Sequence, residues 1–231
     1  GRRTGELHLA LGVETGEKAF APEDFSKLYQ RSLYQSLRSQ LRRVQSAVRK
    51  AKSGQDESTG ELLDHFLETD ATILERYGRI SGKRIEARKI RIHGDYHLGQ
   101  VLFTGRDFVI IDLEGEPART LSERRLKFSA FRDVAGMLRS FHYAIFGRYL
   151  EATDVRPEDA SRLYPWLLPW YTFVGGIFLE SYLATVEGAP FIPDNRDDIA
   201  TLLDVFLLEK AVYEVNYELN NRPDWIRIPL D

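Results

Sequence analysis

Residues 89–111 form the one stretch of this chain where apolar residues stop recurring every three or four positions. Lys89-Ile90-Arg91-Ile92, Val101-Leu102-Phe103 and Phe108-Val109-Ile110-Ile111 are short apolar runs with the length and branching of strands. Thr104-Gly105-Arg106-Asp107 carries turn residues between the last two. The expectation is a small hairpin with a polar loop, residues 93–100, in front of it. No other segment reads convincingly as β-structure. An isolated hairpin of this length is not stable by itself. The rest of the chain must supply the body on which it stands.

That body reads as helix on both sides of the island. Residues 3–11 make a short first piece. From Pro22, the residues Phe25, Tyr29, Leu33, Leu37, Leu41, Val44 and Val48 line one helix face until Ser53-Gly54-Gln55-Asp56 breaks it. A second helix carries Leu62, Leu63, Phe66, Leu67, Ile73, Leu74 and Tyr77. After the island come a stripe from Phe128 to Tyr149, a helix from about Trp166 to Val186 starting near Pro165 or Pro169, and a last long helix from Ile199 to Val215. The tail Arg222–Ile226 is expected to pack back on the body. The fold class is α+β, mainly α-helical, with a small β-hairpin.

Composition closes several functional classes. The 231 residues carry a formal charge of −3 and contain no cysteine. Thiolate metal sites and disulfides are therefore excluded. Acids and bases are interleaved, which gives no support for a nucleic-acid or membrane-surface protein. Arg42-Arg43 and Arg124-Arg125 read as solvated helix faces. No apolar run approaches a membrane span, and the first residues lack the apolar segment of a signal peptide. Cytoplasm is the default expectation.

The polar loop within the island carries chemistry. Phosphoryl transfer from a nucleotide needs a carboxylate to orient the acceptor hydroxyl and take its proton. It also needs hard oxygen ligands for one or two Mg²⁺ ions that offset phosphate charge. The protein-kinase catalytic loop is His-Arg-Asp, four residues, then Asn, followed by a strand pair leading to a second metal-binding Asp. Here His93-Gly94-Asp95 is followed by four residues and Gln100, and the hairpin leads to Asp112. Asp95 is the candidate catalytic base, and His93 is the second residue of the catalytic set, either holding the loop by hydrogen bonds or taking part in the chemistry. Gln100 and Asp112 are candidate metal ligands. Glu114 is a further candidate ligand if the strand continues past Asp112, because alternate residues share a side. His97 either contacts substrate or caps the loop. Asp107 and Asp154 are read as turn or cap residues. His93 and His97 also stand four apart, as in a zinc His-Glu-x-x-His helix. Gly94 occupies the Glu position, however, and the segment reads as strand and loop rather than helix, which argues against zinc.

The run His93 to Leu102 with Ile110-Ile111-Asp112-Leu113-Glu114-Gly115-Glu116-Pro117 resembles the aminoglycoside-phosphotransferase-like kinases. More narrowly, it resembles bacterial maltokinases, which also occur fused to trehalose synthase. The likeness extends through Leu121–Arg125, Arg132–Phe141, Leu208–Glu214 and Arg222–Leu230, and includes the opening Gly1–His8. The resemblance implies a protein-kinase-like C-terminal lobe that phosphorylates maltose to maltose 1-phosphate with ATP and Mg²⁺, and a fusion to or complex with trehalose synthase. It places the base at Asp95 and the metal ligands at Gln100 and Asp112. Such kinases have an N-terminal lobe covering ATP, with a glycine-containing loop and a lysine on a strand. No β-rich region precedes residue 89, so residues 1–231 are expected to be the C-terminal lobe without the ATP-covering one.

For the acceptor, Trp170, Tyr171, Tyr213 and Tyr217 offer faces for sugar rings, and Arg132, Glu209 and Asn216 offer hydrogen bonds. Glu209, Tyr213 and Asn216 fall within about two turns of one helix. Asp133 and Arg139 are expected to brace the catalytic loop or neighbouring helices. Two further readings stay open. One is a kinase for another hydroxyl acceptor, such as an aminoglycoside. The other is a non-catalytic docking lobe.

Overall fold

The computed structural model describes residues 1–117, 120–151 and 157–230. Asp154 lies outside them. The chain divides into two compact units, Gly1–Phe25 with Glu86–Leu203 and Ser26–Ile85 with Asp204–Asp231. The architecture is mainly helical with short β-pairs, as the apolar spacing implies.

The first unit opens with α1 (Arg2–Leu11). It holds the antiparallel pair β1 (Glu23–Asp24) and β2 (Arg88–Lys89), and the hairpin β3 (Val101–Phe103) and β4 (Phe108–Ile110). α5 (Leu121–Arg124) begins with a capping box, in which the Thr120 side chain and Glu123 satisfy each other's backbone N–H groups. α6 (Phe131–Glu151) and α7 (Pro157–Thr185) complete its main body. Phe131, Val134, Met137, Tyr182, Val186 and Phe191 are buried in its core. α1 lies with its backbone close against α7: a Cβ added at Gly5 would stand 2.7 Å from the Thr185 side chain.

The hairpin forms where the apolar runs and turn residues place it. Its register pairs Val101 with Ile110, Leu102 with Val109 and Phe103 with Phe108. The Thr104 N–H donates to the Asp107 carbonyl at 2.8 Å and closes the turn. Arg3 grips the Asp107 carboxylate and ties the turn to α1. Leu102, Phe103, Phe108 and Val109 remain exposed, Phe103 at 66%.

Three features of this unit depart from the sequence reading. The run expected as a strand over 89–92 pairs only at Arg88–Lys89, with a single bridge from Ile90 to Phe128. Its partner, Glu23–Asp24, has no apolar alternation to announce it; Lys89 and Lys127 hold it through Glu23. α7 begins at Pro157 and contains Pro165 and Pro169 internally rather than starting at either. Each proline costs the helix one hydrogen bond. This stretch of α7 is largely exposed, so water can take up the freed carbonyls.

The second unit contains α2 (Lys27–Ala51), α3 (Glu57–Glu68), α4 (Asp70–Gly82) and most of α8 (Arg196–Asn221), ending in α9 (Arg227–Leu230). α2 starts at Lys27, not at Pro22, because the Ser26 hydroxyl caps it by accepting the Tyr29 N–H. The expected stripe Leu33, Leu37, Leu41, Val44 and Val48 is buried. Residues 57–82 are two helices rather than one. At Thr69 the N–H turns back to the carbonyls of His65 and Phe66, and the hydroxyl donates to Phe66. Gln30, fully buried, donates to the carbonyls of Ile80 and Lys83 and accepts from the Ile85 N–H. Ile226 and Ile228 are buried, so the tail packs back as expected.

Candidate active site

The loop 93–100 has little regular structure of its own, and α6 supplies its frame. Asp133, Gly136 and Ser140 stand three and four residues apart, on one face of the helix. The Asp133 carboxylate accepts the N–H of His93 at 2.7 Å and that of Gly94 at 2.9 Å. The Ser140 hydroxyl accepts the Leu98 N–H at 3.0 Å. Between them, a Cβ at Gly136 would come within 2.6 Å of the Tyr96 carbonyl oxygen, so only glycine allows this approach. Tyr96 is buried and shares a hydrogen bond of 2.8 Å with Thr4. Burial pushes its phenol up to about 12, so it stays a neutral anchor.

His93 is 1% exposed and ties two segments together. Its Nε2 lies 2.8 Å from the Ile111 carbonyl, and its Nδ1 accepts the Asp95 N–H at 3.4 Å. Nε2–H donating to Ile111 satisfies both contacts. His93 thus joins the backbone of Asp95 to the residue before Asp112.

Asp95 is half-buried on this frame. His97 Nε2 stands 3.9 Å from its Oδ2, beyond hydrogen-bond reach. His97 Nδ1 accepts the Gly99 N–H at 3.0 Å and caps the short turn Leu98–Gln100. Of the two roles weighed for His97, the cap is present.

Gln100 and Asp112 meet across the open end of the hairpin. Gln100 Nε2 donates to Asp112 Oδ2 at 2.9 Å, and the Ile111 N–H donates to the Gln100 carbonyl at 3.0 Å. Strand pairing stops at Ile110, and Asp112 adopts a left-handed backbone with φ of 64°. Asp tolerates that conformation better than most residues. The strand therefore does not continue to Glu114, and the alternation that would align Glu114 with Asp112 is not present. Glu114 is exposed.

Among the described residues, no three His, Asp or Glu side chains are grouped to hold a metal ion. The pair actually present is one carboxylate and one amide, and the bond from Nε2 leaves the Gln100 Oε1 as a hard donor. Such a set suits Mg²⁺, which is usually held by one or two side chains with phosphate oxygens and water.

The proposed acceptor contacts fall in both units. Arg132 lies in the first, its guanidinium 4.6 Å from the Phe128 ring centroid. Glu209, Tyr213 and Asn216 lie on the part of α8 that belongs to the second. Glu209 is 7% exposed, and Tyr213 stacks on Tyr217 at 6.3 Å with the Lys210 ammonium 4.9 Å from its ring centre. Trp170 is exposed, and Tyr171 packs edge-on to His142. The Gly136 approach, the Ser140 hydroxyl and the Thr4–Tyr96 contact have no local sequence pattern to announce them. Asp133 was expected as a brace, and the structure gives it that place.

No protein-family profile matches the chain. A glucosamine kinase of Mycolicibacterium smegmatis is 29% identical over 177 residues, covering 74% of this chain and 39% of that protein. A glucosamine kinase of Streptacidiphilus jiangxiensis is 26% identical over 142 residues, covering 61% and 30%. Among solved structures, a glucosamine kinase in complex with glucosamine, ADP and inorganic phosphate aligns with a TM-score of 0.77 at 21% identity, over 99% of this chain and 51% of that one. A second crystal form of a glucosamine kinase aligns equally well, over 99% and 49%. The fold is therefore shared with about half of a sugar kinase chain. The chain spans less than half the length of the curated relatives it matches and about half that of the solved structures. No helix among the described residues is long and apolar enough to cross a membrane.

Proposed function

We propose that this chain is the acceptor-and-metal half of an ATP-dependent sugar kinase. The observation that carries the reading is the meeting of Gln100 and Asp112 at 2.9 Å, on a segment that His93 ties to the Asp95 loop. Two donors for a nucleotide-bound cation are thereby coupled to a carboxylate on a rigid loop. Asp95 orients the sugar hydroxyl and takes its proton as the phosphoryl group arrives. Gln100 and Asp112 would hold Mg²⁺, with Glu114 close by in sequence. When bound, the ion offsets phosphate charge. His97, Arg132, Glu209, Tyr213 and Asn216 are the residues assigned to the acceptor side. The domain reading follows: residues 1–231 are the C-terminal lobe, and a separate lobe closes over ATP. The exposed apolar surface of β3 and β4 supports this, since it is unlike the surface of a finished monomer.

The motif resemblance supports maltose as acceptor, phosphorylated at its anomeric hydroxyl, with a trehalose synthase as fused or associated partner. A second acceptor, glucosamine, is favoured by the names of the two curated relatives and the two solved structures described above. The deciding experiment is transfer of the γ-phosphate of ATP by the full-length protein to maltose and to glucosamine side by side, with Asp95→Asn as control. Transfer to neither sugar overturns the sugar-kinase reading. Full activity in Asp95→Asn overturns the role of the base.

A further inference from the structure

The hydrogen bonds that hold the catalytic loop do not end at Asp133. Asp133 is 2% exposed, and both its oxygens are engaged. Oδ1 accepts from Gly94, and Oδ2 accepts from His93 and lies 3.0 Å from His8 Nε2. A carboxylate that takes those backbone protons offers only acceptor capacity to the imidazole, so His8 Nε2 carries hydrogen. His8 is fully buried, and its Nδ1 lies 3.0 Å from the Tyr182 hydroxyl. Burial, and after it the charge of Asp133, pushes the Tyr182 phenol well above its ordinary value. The hydroxyl keeps its proton and donates it to Nδ1. The imidazole is thereby oriented from both sides.

The geometry points to His8 as a positioning residue for phosphoryl transfer: with Tyr182 fixing its tautomer, it aims the Asp133 carboxylate at the His93 and Gly94 N–H groups and so sets where Asp95 stands. This deepens the kinase reading and rests on Asp95 being its base. Two features make the arrangement stiff. Gly5, one turn before His8, lies directly against the Thr185 side chain of α7, which leaves the imidazole little lateral freedom. The two backbone donors, one on each oxygen, define the plane of the carboxylate, and His8 on Oδ2 braces that plane from the side away from the loop.

The rival role is space filling. The His8 ring also packs edge-on to Tyr182 at 5.6 Å and to Phe191 at 6.4 Å. His8→Phe keeps a ring and removes both hydrogen bonds. His8→Gln loses the ring and keeps a donor near the Nε2 position. The test uses the full-length enzyme and measures kcat and KM for sugar and ATP, with amide hydrogen exchange at residues 93–95.

His8→Phe is expected to lower kcat about 30-fold with both KM values within about threefold, because misplacing a base costs rate rather than binding. Exchange at His93 and Gly94 should quicken about tenfold or more, while the amides of α2 keep their protection. His8→Gln should recover kcat to within about fivefold of wild type, and Tyr182→Phe should fall between the two. Wild-type kcat and exchange in His8→Phe overturn the proposal. So does a His8→Gln enzyme as impaired as His8→Phe, with exchange faster throughout the first unit. Should His8→Phe fail to fold, His8→Gln and Tyr182→Phe decide it on the same rates and amides. An absence of any sugar phosphorylation would sink the proposed function alone, because the exchange at residues 93–95 still reports whether His8 holds the loop.

Discussion

Gln100 and Asp112, twelve residues apart, touch side chain to side chain at 2.9 Å because a hairpin of two three-residue strands and a left-handed Asp112 bring the chain back on itself. The bond does two things at once. It fixes which way the amide faces, with Nε2 on the carboxylate, and it holds the two side chains together.

Removal of either member should therefore show in the metal dependence. Asp112→Asn is expected to cut kcat about 100-fold or more, and Gln100→Ala to raise the Mg²⁺ concentration for half-maximal rate about tenfold. A Mg²⁺ titration of the full-length enzyme checks both. An unchanged Mg²⁺ requirement in both variants would remove the pair from the metal site.

The Tyr96 carbonyl leaves no room on α6 at Gly136. Gly136→Ala should stabilise the helix by propensity alone, by about 1 kcal/mol. The clash at 2.6 Å should outweigh that gain and give a net destabilisation of about 1–3 kcal/mol. Urea unfolding measures the balance. A variant more stable than wild type would show that the loop yields easily.

Gln30 tests the second unit separately. Its amide satisfies two carbonyls at the end of α4, Ile80 at 2.5 Å and Lys83 at 2.9 Å, and one backbone N–H, at Ile85. Gln30→Leu keeps the volume and orphans all three, which should cost about 2–4 kcal/mol. The loss should appear as a lower urea midpoint, with little change in slope.

His142 predicts a pH dependence. Burial first, and the nearby charge of Arg139 second, lower its imidazole to about 4, against about 6.5 in an unfolded chain. Between these values the unfolded state binds the extra proton. This contribution to stability is therefore complete above about pH 6.5 and falls steadily as pH drops toward about 4. The full effect is about 2 kcal/mol after allowance for solvent access. The His142 Nδ1 has no hydrogen-bond partner among the described residues, and its ring stacks on Phe146 at 4.3 Å. His142→Phe should keep the stack and flatten the profile. Melting curves at pH 5 and pH 7.5 compare the two slopes, and parallel slopes would refute the assignment.

Local periodicity made much of the fold legible. The α2 stripe, the hairpin and the loop spacing from Asp95 to Asp112 are all short-range patterns, and each is where the sequence implies. The misses have different causes. Leu67 to Leu74 keep an apolar rhythm across Thr69 without glycine or proline, so the break between α3 and α4 has no local marker. Pro165 and Pro169 are strong markers that an exposed helix overrides. At the site, the chemistry-bearing side chains were visible as types at a spacing, but their supports were not. His8 reaches partners 125 and 174 residues away. Asp112's left-handed turn and the Gly136 approach depend on what stands opposite them, which no local pattern records.

The exposed hairpin has a consequence for handling the chain. β3 and β4 pair only with each other, so each strand has an outer edge without a strand partner among the described residues. Leu102, Phe103, Phe108 and Val109 flank those edges with greasy surface. Short apolar strands with free backbone groups are templates for a further strand from another molecule. Produced by itself at high concentration, the chain carries a self-association hazard seated beside Gln100 and Asp112. A lysine placed at Phe103 would blunt that hazard while leaving Gln100 and Asp112 in place.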